Sequence, residues 1–287
     1  MFRQRTLSSV GVVAVGVVPA FFGVWGVAAI FAVLGIIALA ELRAMFGNLD
    51  HVVLLPICVV VAVLTVIAVA ARWPGWVFGA LAAATLIAPV TVLIFRQSLD
   101  GTLAAWMTTI FATLYVAVPL GHIVAVRNIA GVTSGAGTWL TTLEERFGFR
   151  GTALGLGWFL LALVTTWLTD TSAYVSGRAF GKHLMAPIIS PKKTWEGFAG
   201  GIAGAILAAM IANWGFGVGL RIVVAALVGV LIALAATVGD LAESLLKRQT
   251  GVKDSGTLIP GHGGILDRID SWLVVFIVVY YVARAVA

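Results

Sequence analysis

Gly239–Ser271 reads GDLAESLLKRQTGVKDSGTLIPGHGGILDRIDS, and it holds Asp240, Glu243, Lys247, Arg248, Lys253, Asp254, Asp267, Arg268 and Asp270 around a glycine-rich turn. The flanking sequence on both sides is almost wholly apolar. A charged side chain at the centre of a bilayer costs about 2.5–3.5 kcal/mol on insertion scales, so such residues are kept out of lipid or put to use. Carboxylates, basic residues and a flexible Gly loop are together what a magnesium–polyphosphate site needs.

The apolar surroundings extend over the whole chain. Its 287 residues are 61% hydrophobic and only 10% charged, with a mean hydropathy of +1.09. A soluble domain carries about a quarter charged residues, so a soluble fold is excluded. Apolar runs close to the ~20 residues that cross a bilayer recur from end to end. The expected fold is all-α: a polytopic helical integral membrane protein with about nine transmembrane helices, near 7–22, 24–41, 52–71, 76–95, 103–126, 152–169, 197–214, 220–239 and 268–285. The start, MFRQR followed by apolar residues, is read as the first span rather than a cleaved signal. Cys58 is the single cysteine, so no internal disulfide forms.

The positive-inside rule orients these spans. Twelve of the eighteen Lys and Arg residues fall on the side holding the N-terminus and the loops after spans 2, 4, 6 and 8. That side is assigned to the cytoplasm. The sequence pI near 9.9 points to anionic lipid headgroups and a phosphorylated substrate, with no nucleic acid expected, because the basic residues sit at span ends and in two loops. Sixteen of the thirty Asp, Glu, Lys and Arg residues lie between Asp170 and Ser271. Within one membrane domain (1–287), residues 1–126 are therefore expected to be scaffold and 150–287 the reacting half. Arg127–Arg150 is read as an external loop in which WLTTLEERF, 139–147, forms an interfacial helix.

Four elements carry chemistry. Asp240, Glu243, Ser244 and Lys247 are spaced to share one face of a helix leaving the membrane; a solvated helix end with internal ion pairs is the plainer reading. Gly261, His262, Gly263 and Gly264 precede the last helix, where backbone N–H groups converge on an anion, although an ordinary tight turn has the same composition. Asp267 and Asp270 stand three apart in the first turn of that helix, as hard oxygen ligands do, and Asp267–Ser271 repeats the spacing of Asp240–Ser244. Thr169–Gly197, TDTSAYVSGRAFGKHLMAPIISPKKTWEG, is read as a loop whose Arg178, Lys182, Lys192 and Lys193 suit phosphate groups or anchor to anionic lipid.

Taken singly these signals are weak. The continuous pattern Lys247-Arg248-x4-Lys253-Asp254-x5-Pro260-Gly-His-Gly-Gly-x2-Asp267-Arg268-x-Asp270-Ser271 is too long to arise by chance. It resembles the phosphatidate cytidylyltransferase (CDP-diacylglycerol synthase) family. So do Asp170-Thr171, Ala173-Tyr174, Gly177-Arg178, Phe180-Gly181-Lys182 and Ser190-Pro-Lys-Lys-Thr-Trp-Glu-Gly197. The resemblance covers roughly 150–287 by motif and the remainder by hydrophobic character alone.

The resemblance implies that CTP and phosphatidate react to give CDP-diacylglycerol and pyrophosphate, within phospholipid biosynthesis. It implies Mg²⁺, with room for a second cation, on Asp240 and Asp267 as principal ligands and Asp270 and Asp254 as secondary ones. Lys247, Arg248, Lys253 and the Gly261–Gly264 loop are expected at the triphosphate, and Ser244 and Arg268 among the substrate-binding residues. Arg178, Lys192 and Lys193 are expected at the phosphatidate headgroup, or to share the nucleotide. Membrane lipids are the surroundings, a homodimer is an admissible assembly, and the expected location is a bacterial plasma (inner) membrane with both loops facing the cytoplasm. The alternatives are a CTP-dependent, dolichol-kinase-like lipid kinase, which moves the γ-phosphate, and a transporter of phosphorylated solutes, which the absence of an internal repeat disfavours.

Overall fold

The computed structural model describes residues 15–73, 75–96, 99–148, 151–258 and 263–286. Its helices are α1 (Gly23–Gly47, entered through a 3₁₀ turn at Val18–Phe22), α2 (Leu55–Ala70), α3 (Gly75–Arg96), α4 (Thr102–Arg127) and the short α5 (Thr138–Phe147). There follow α6 (Ala153–Phe180), the strands β1 (Leu184–Ala186) and β2 (Ser190–Thr194), α7 (Trp195–Phe216), α8 (Ile222–Gln249) and α9 (Leu266–Val286). The all-α polytopic expectation holds, with one antiparallel hairpin added, pairing Leu184 with Thr194 and Ala186 with Ser190.

Among the described residues, six segments are long and apolar enough to cross a membrane: Val15–Gly47, α4, α6, α7, α8 and α9. Leu55–Ala70 and Gly79–Thr91 are shorter apolar helices. Of the expected span 7–22, residues 7–14 lie outside the described residues, and 15–22 run on into α1 as part of Val15–Gly47. Pro89 and Pro119 lie inside α3 and α4, as helices in lipid tolerate when neighbours satisfy the freed carbonyls.

Two expected spans are extended. Spans 152–169 and 220–239 become helices of 28 residues each, Ala153–Phe180 and Ile222–Gln249. At 1.5 Å per residue each is about 42 Å long, against ~30 Å of hydrocarbon. Thr169–Phe180 is consequently helix, not loop, and only the hairpin and its turns connect α6 to α7.

The chain packs as two compact units. One comprises Val24–Ala125 and Leu246–Ile269 together with 15–19; the other comprises Ala20–Gly23, Val126–Leu245 and 270–286. In the first, Gly35 lets α1 meet the Leu120 side chain, and Gly121 sits where an added Cβ would lie 3.0 Å from the Thr65 methyl.

The second unit is organised by the α6–α7 seam. Gly197 and Gly201, and likewise Gly200 and Gly204, recur at four-residue spacing on α7, and each pair faces small residues of α6. A Cβ on Gly197 would lie 2.9 Å from the Ala173 carbonyl, one on Gly201 3.1 Å from the Ala173 Cβ, and Gly200 and Gly204 abut Ser176 and Ser172. Small residues at this spacing are how helices approach closely where lipid gives no hydrophobic drive to associate.

The segment Arg127–Arg150 contains the expected helix, α5, but it is anchored by burial. Arg127 is fully buried; its Nη2 donates to Glu144 Oε1 at 2.6 Å, its Nε to the Ala20 carbonyl at 2.8 Å and its Nη1 to Thr152 Oγ1 at 2.9 Å. Planar guanidinium geometry suits such a multiply satisfied buried pair.

Candidate active site

In the unit containing α6–α8, the extended end of α6, residues 233–240 of α8, the hairpin and the first turns of α7 line a cavity of ≈ 390 Å³. Asp170, Tyr174 and Arg178 reach it from α6, Lys192 and Lys193 from β2, Phe198 from α7, and Thr237 and Asp240 from α8. The 170/174/178 spacing of four puts carboxylate, phenol and guanidinium on one face of α6. Arg178 Nη1 donates to the Tyr174 hydroxyl at 3.2 Å. Lys193 Nζ contacts Asp240 Oδ2 at 2.8 Å, with side chains 24% and 38% exposed, and Ser244 donates to Asp240 Oδ1 at 3.2 Å.

The hairpin that carries both lysines is fastened to α7. Thr194 caps that helix, its hydroxyl accepting from Gly197 N at 3.1 Å. Glu196 accepts from the backbone N–H of Lys182 at 3.1 Å and of His183 at 3.2 Å through Oε2, and its Oε1 meets His183 Nδ1 at 2.6 Å. Thus SPKKTWEG builds both the basic pair and its anchor. Within the same unit α8 crosses α9 closely at Gly239, where a Cβ would lie 2.5 Å from the Asp270 carbonyl oxygen. Asp270 Oδ1 accepts from Ser271 N at 2.6 Å.

The Asp267 region, in the other unit, is built differently. Asp267 Oδ1 accepts from Lys247 Nζ at 2.6 Å. Its Oδ2 accepts from Ser255 N at 2.8 Å and Gly264 N at 2.8 Å, and lies 2.9 Å from Ser255 Oγ. Its side chain is 6% exposed and that of Lys247 12%. Gly263, at φ +79, makes the turn into this arrangement, and any Cβ there would meet Asp267 Oδ2 at 2.5 Å. Gly264, expected to offer its N–H to phosphate, gives it to Asp267 instead. Gly261 and His262 lie outside the described residues.

Lys253, Asp254 and Arg248 are exposed on the loop side, Arg248 donating to the Val252 carbonyl at 3.5 Å. Arg268 is half-buried, and its Nε has no hydrogen-bond partner among the described residues. Glu41 on α1 is the residue that sequence reasoning missed. It is 8% exposed and accepts from Ile265 N and Leu266 N, both at 2.8 Å. A lone carboxylate inside the apolar run 36–47 is the signal that would have found it.

Among the described residues no group of three or more His, Cys, Asp and Glu side chains comes together as a metal site. Asp170 and Asp240 do line one cavity, and both are accessible. Mg²⁺ is held by one or two carboxylates and completes its shell with water and substrate phosphates, so this pair is a fitting donor set.

The sequence matches the cytidylyltransferase family over residues 3–286. The chain belongs to that family. Among its curated relatives, the phosphatidate cytidylyltransferase of Staphylococcus epidermidis is 48% identical over 121 residues, 42% of this chain and 46% of that protein. Those of Mycobacterium tuberculosis and Staphylococcus aureus are 47% and 42% identical over 119 and 129 residues, covering 42% and 45% of this chain and 36% and 50% of the relatives. The matched stretches thus span half or less of each relative's length. In a cytidylyltransferase, a cavity that combines carboxylates with Arg178, Lys192 and Lys193 is suited to receive phosphate groups at the ends of membrane helices.

Proposed function

We propose that this protein transfers a cytidylyl group from CTP to phosphatidate, yielding CDP-diacylglycerol and pyrophosphate for phospholipid biosynthesis. The observation that carries the reading is the cavity in which Lys193 and Asp240 sit 2.8 Å apart beside Asp170 and Arg178, in a chain of this family. A phosphate oxygen of phosphatidate forms the new bond to the α-phosphorus of CTP, and the α–β bridging P–O bond breaks to release pyrophosphate. The attacking oxygen is already anionic, so no general-base triad is needed. The work of the site is to bring two polyanions together and offset their charge.

Asp240, with Asp170, is assigned to hold Mg²⁺, and a second cation is compatible with the pair. When bound, the ion supplies charge neutralisation at the phosphates. Arg178, Lys192 and Lys193 are assigned to the phosphatidate phosphate, with Arg178 oriented by Tyr174. Lys247, Arg248, Lys253, Ser244, Arg268 and the Gly261–Gly264 loop are assigned to the nucleotide phosphates. Asp254 and Asp270 remain secondary ligand assignments. For Asp267 to ligate a cation, Lys247 or the Ser255 and Gly264 donors must first release its oxygens.

The proposed location is the bacterial plasma membrane with the hairpin and the 250–266 loop in the cytoplasm, where CTP is found. A nine-span layout requires α2, α3 and the segment before residue 15 to cross as well, and a homodimer is the proposed assembly. The reacting half is assigned to 150–287 on a scaffold of 1–126.

The test uses detergent-purified protein with phosphatidate, Mg²⁺ and CTP labelled at the α- or γ-phosphate. Label from the α position in the lipid product, with γ label released as pyrophosphate, is expected. Transfer of γ label to a lipid alcohol offered instead identifies a CTP-dependent lipid kinase. Transfer to neither acceptor overturns the enzyme reading and directs attention to phosphorylated-solute transport.

A further inference from the structure

Glu41 lies on α1 within the run IIALAELRAMFG, 36–47, and its side chain is 8% exposed. A buried carboxylate persists only where donors replace water. Its donors come from the two described arms of the loop before α9. Ile265 N donates to Oε1, Leu266 N to Oε2, and Ser255 Oγ lies 3.0 Å from Oε2. Leu266 opens α9, so the carboxylate satisfies an N–H that the helix itself cannot, at the end where the helix dipole favours negative charge.

The glycines of the loop are shaped around this carboxylate. A Cβ on Gly264 would fall 2.5 Å from both Glu41 oxygens, and one on Gly256 2.7 Å from Oε1. Glu41 also meets Asp267 through a shared group. The Ser255 hydroxyl is 2.9 Å from Asp267 Oδ2 and 3.0 Å from Glu41 Oε2, and has one hydrogen to give. Besides Lys247 Nζ on Asp267, the two carboxylates divide five donors of the loop arms between them: Ser255 N and Oγ, and the N–H groups of Gly264, Ile265 and Leu266. Removing Glu41's share frees the arms that orient Asp267 and, through it, Lys247.

We propose that Glu41 is a positioning residue for the transfer reaction, holding Ser255–Gly256 and Gly263–Leu266 in the shape that fixes Asp267 against Lys247. This rests on the cytidylyltransferase reading above. In Glu41→Gln the amide keeps the volume, but its NH₂ faces an N–H or the Ser255 hydroxyl where an acceptor stood. Groups that orient reactive residues from behind contribute about 10–100-fold.

The experiment measures kcat and KM with α-labelled CTP for wild type, Glu41→Gln, Glu41→Asp and Ser255→Ala, together with backbone amide exchange in detergent. Glu41→Gln is expected to lose kcat about 10–100-fold with KM for phosphatidate changed less than about threefold. Exchange at Ile265 and Leu266 is expected to quicken about tenfold or more while α6 and α7 keep their protection. Glu41→Asp, which keeps the charge, is expected to recover several-fold over Gln, and Ser255→Ala to fall between Gln and wild type. Glu41→Gln with wild-type kcat or wild-type exchange at Ile265 and Leu266 overturns the proposal. So does a kcat loss accompanied by uniform loss of protection, which marks a merely structural role. Inactive wild-type protein overturns the functional reading instead, and the exchange arm still decides whether Glu41 holds the loop.

Discussion

Two lysine–aspartate pairs of the same chemistry have opposite settings. Lys193 and Asp240 meet at 2.8 Å in a cavity, with 24% and 38% of the side chains exposed, and Asp240 also accepts from Ser244. Lys247 and Asp267 meet at 2.6 Å with 12% and 6% exposed, and the second oxygen of Asp267 is taken by Ser255 and Gly264. An accessible pair contributes little to stability and exchanges readily for a ligand's phosphate or a cation. A buried pair is costly to break, because the surviving charge is left uncompensated. The first pair is open to a ligand; the second fixes the shape of its own loop.

The contrast can be broken most sharply at the buried pair. Asp267→Asn is expected to destabilise the protein by about 3–5 kcal/mol, read from the unfolding midpoint in detergent, because the buried Lys247 ammonium loses the carboxylate held at 2.6 Å. Asp240→Asn is expected to do the reverse: transfer of α label falls about 10²–10³-fold while the unfolding midpoint stays close to wild type. Equal stability losses in both variants would erase the distinction. Lys193→Gln should raise KM for phosphatidate about tenfold, an effect that weakens as salt is raised, since the pair is partly exposed. Lys192→Ala, on the exposed face of β2, should raise it only a few-fold, with kcat nearly unchanged. A larger effect from Lys192 than from Lys193 would relocate the headgroup contact.

Much of this was readable in advance. The apolar runs predicted α2, α3, α4, α7 and α9 to within about three residues, whereas α1 runs six residues past its expected end, and the charge cluster pointed to the elements that now carry both pairs. The lengths of α6 and α8 were not readable. Their last turns are polar, so a hydropathy criterion stops near 169 and 239, while the helical hydrogen bonds continue to Phe180 and Gln249. Asp170 is thereby a mid-helix residue facing a cavity rather than the end of a helix. Gly264 was read as an anion-binding N–H, yet the anions its neighbourhood holds are the protein's own carboxylates. Residues 1–126 were read as scaffold from their scarcity of charge, which passes over Glu41.

A helical membrane protein and the approximate spans are legible in the residues alone. Burial of apolar runs and i→i−4 hydrogen bonding are local properties, legible a window at a time. Which carboxylates are open and which are occupied depends on contacts between distant parts of the chain. Ile265 and Leu266 lie 224 and 225 positions from Glu41, and what reaches its oxygens is backbone N–H, which every residue but proline carries and no side-chain pattern announces.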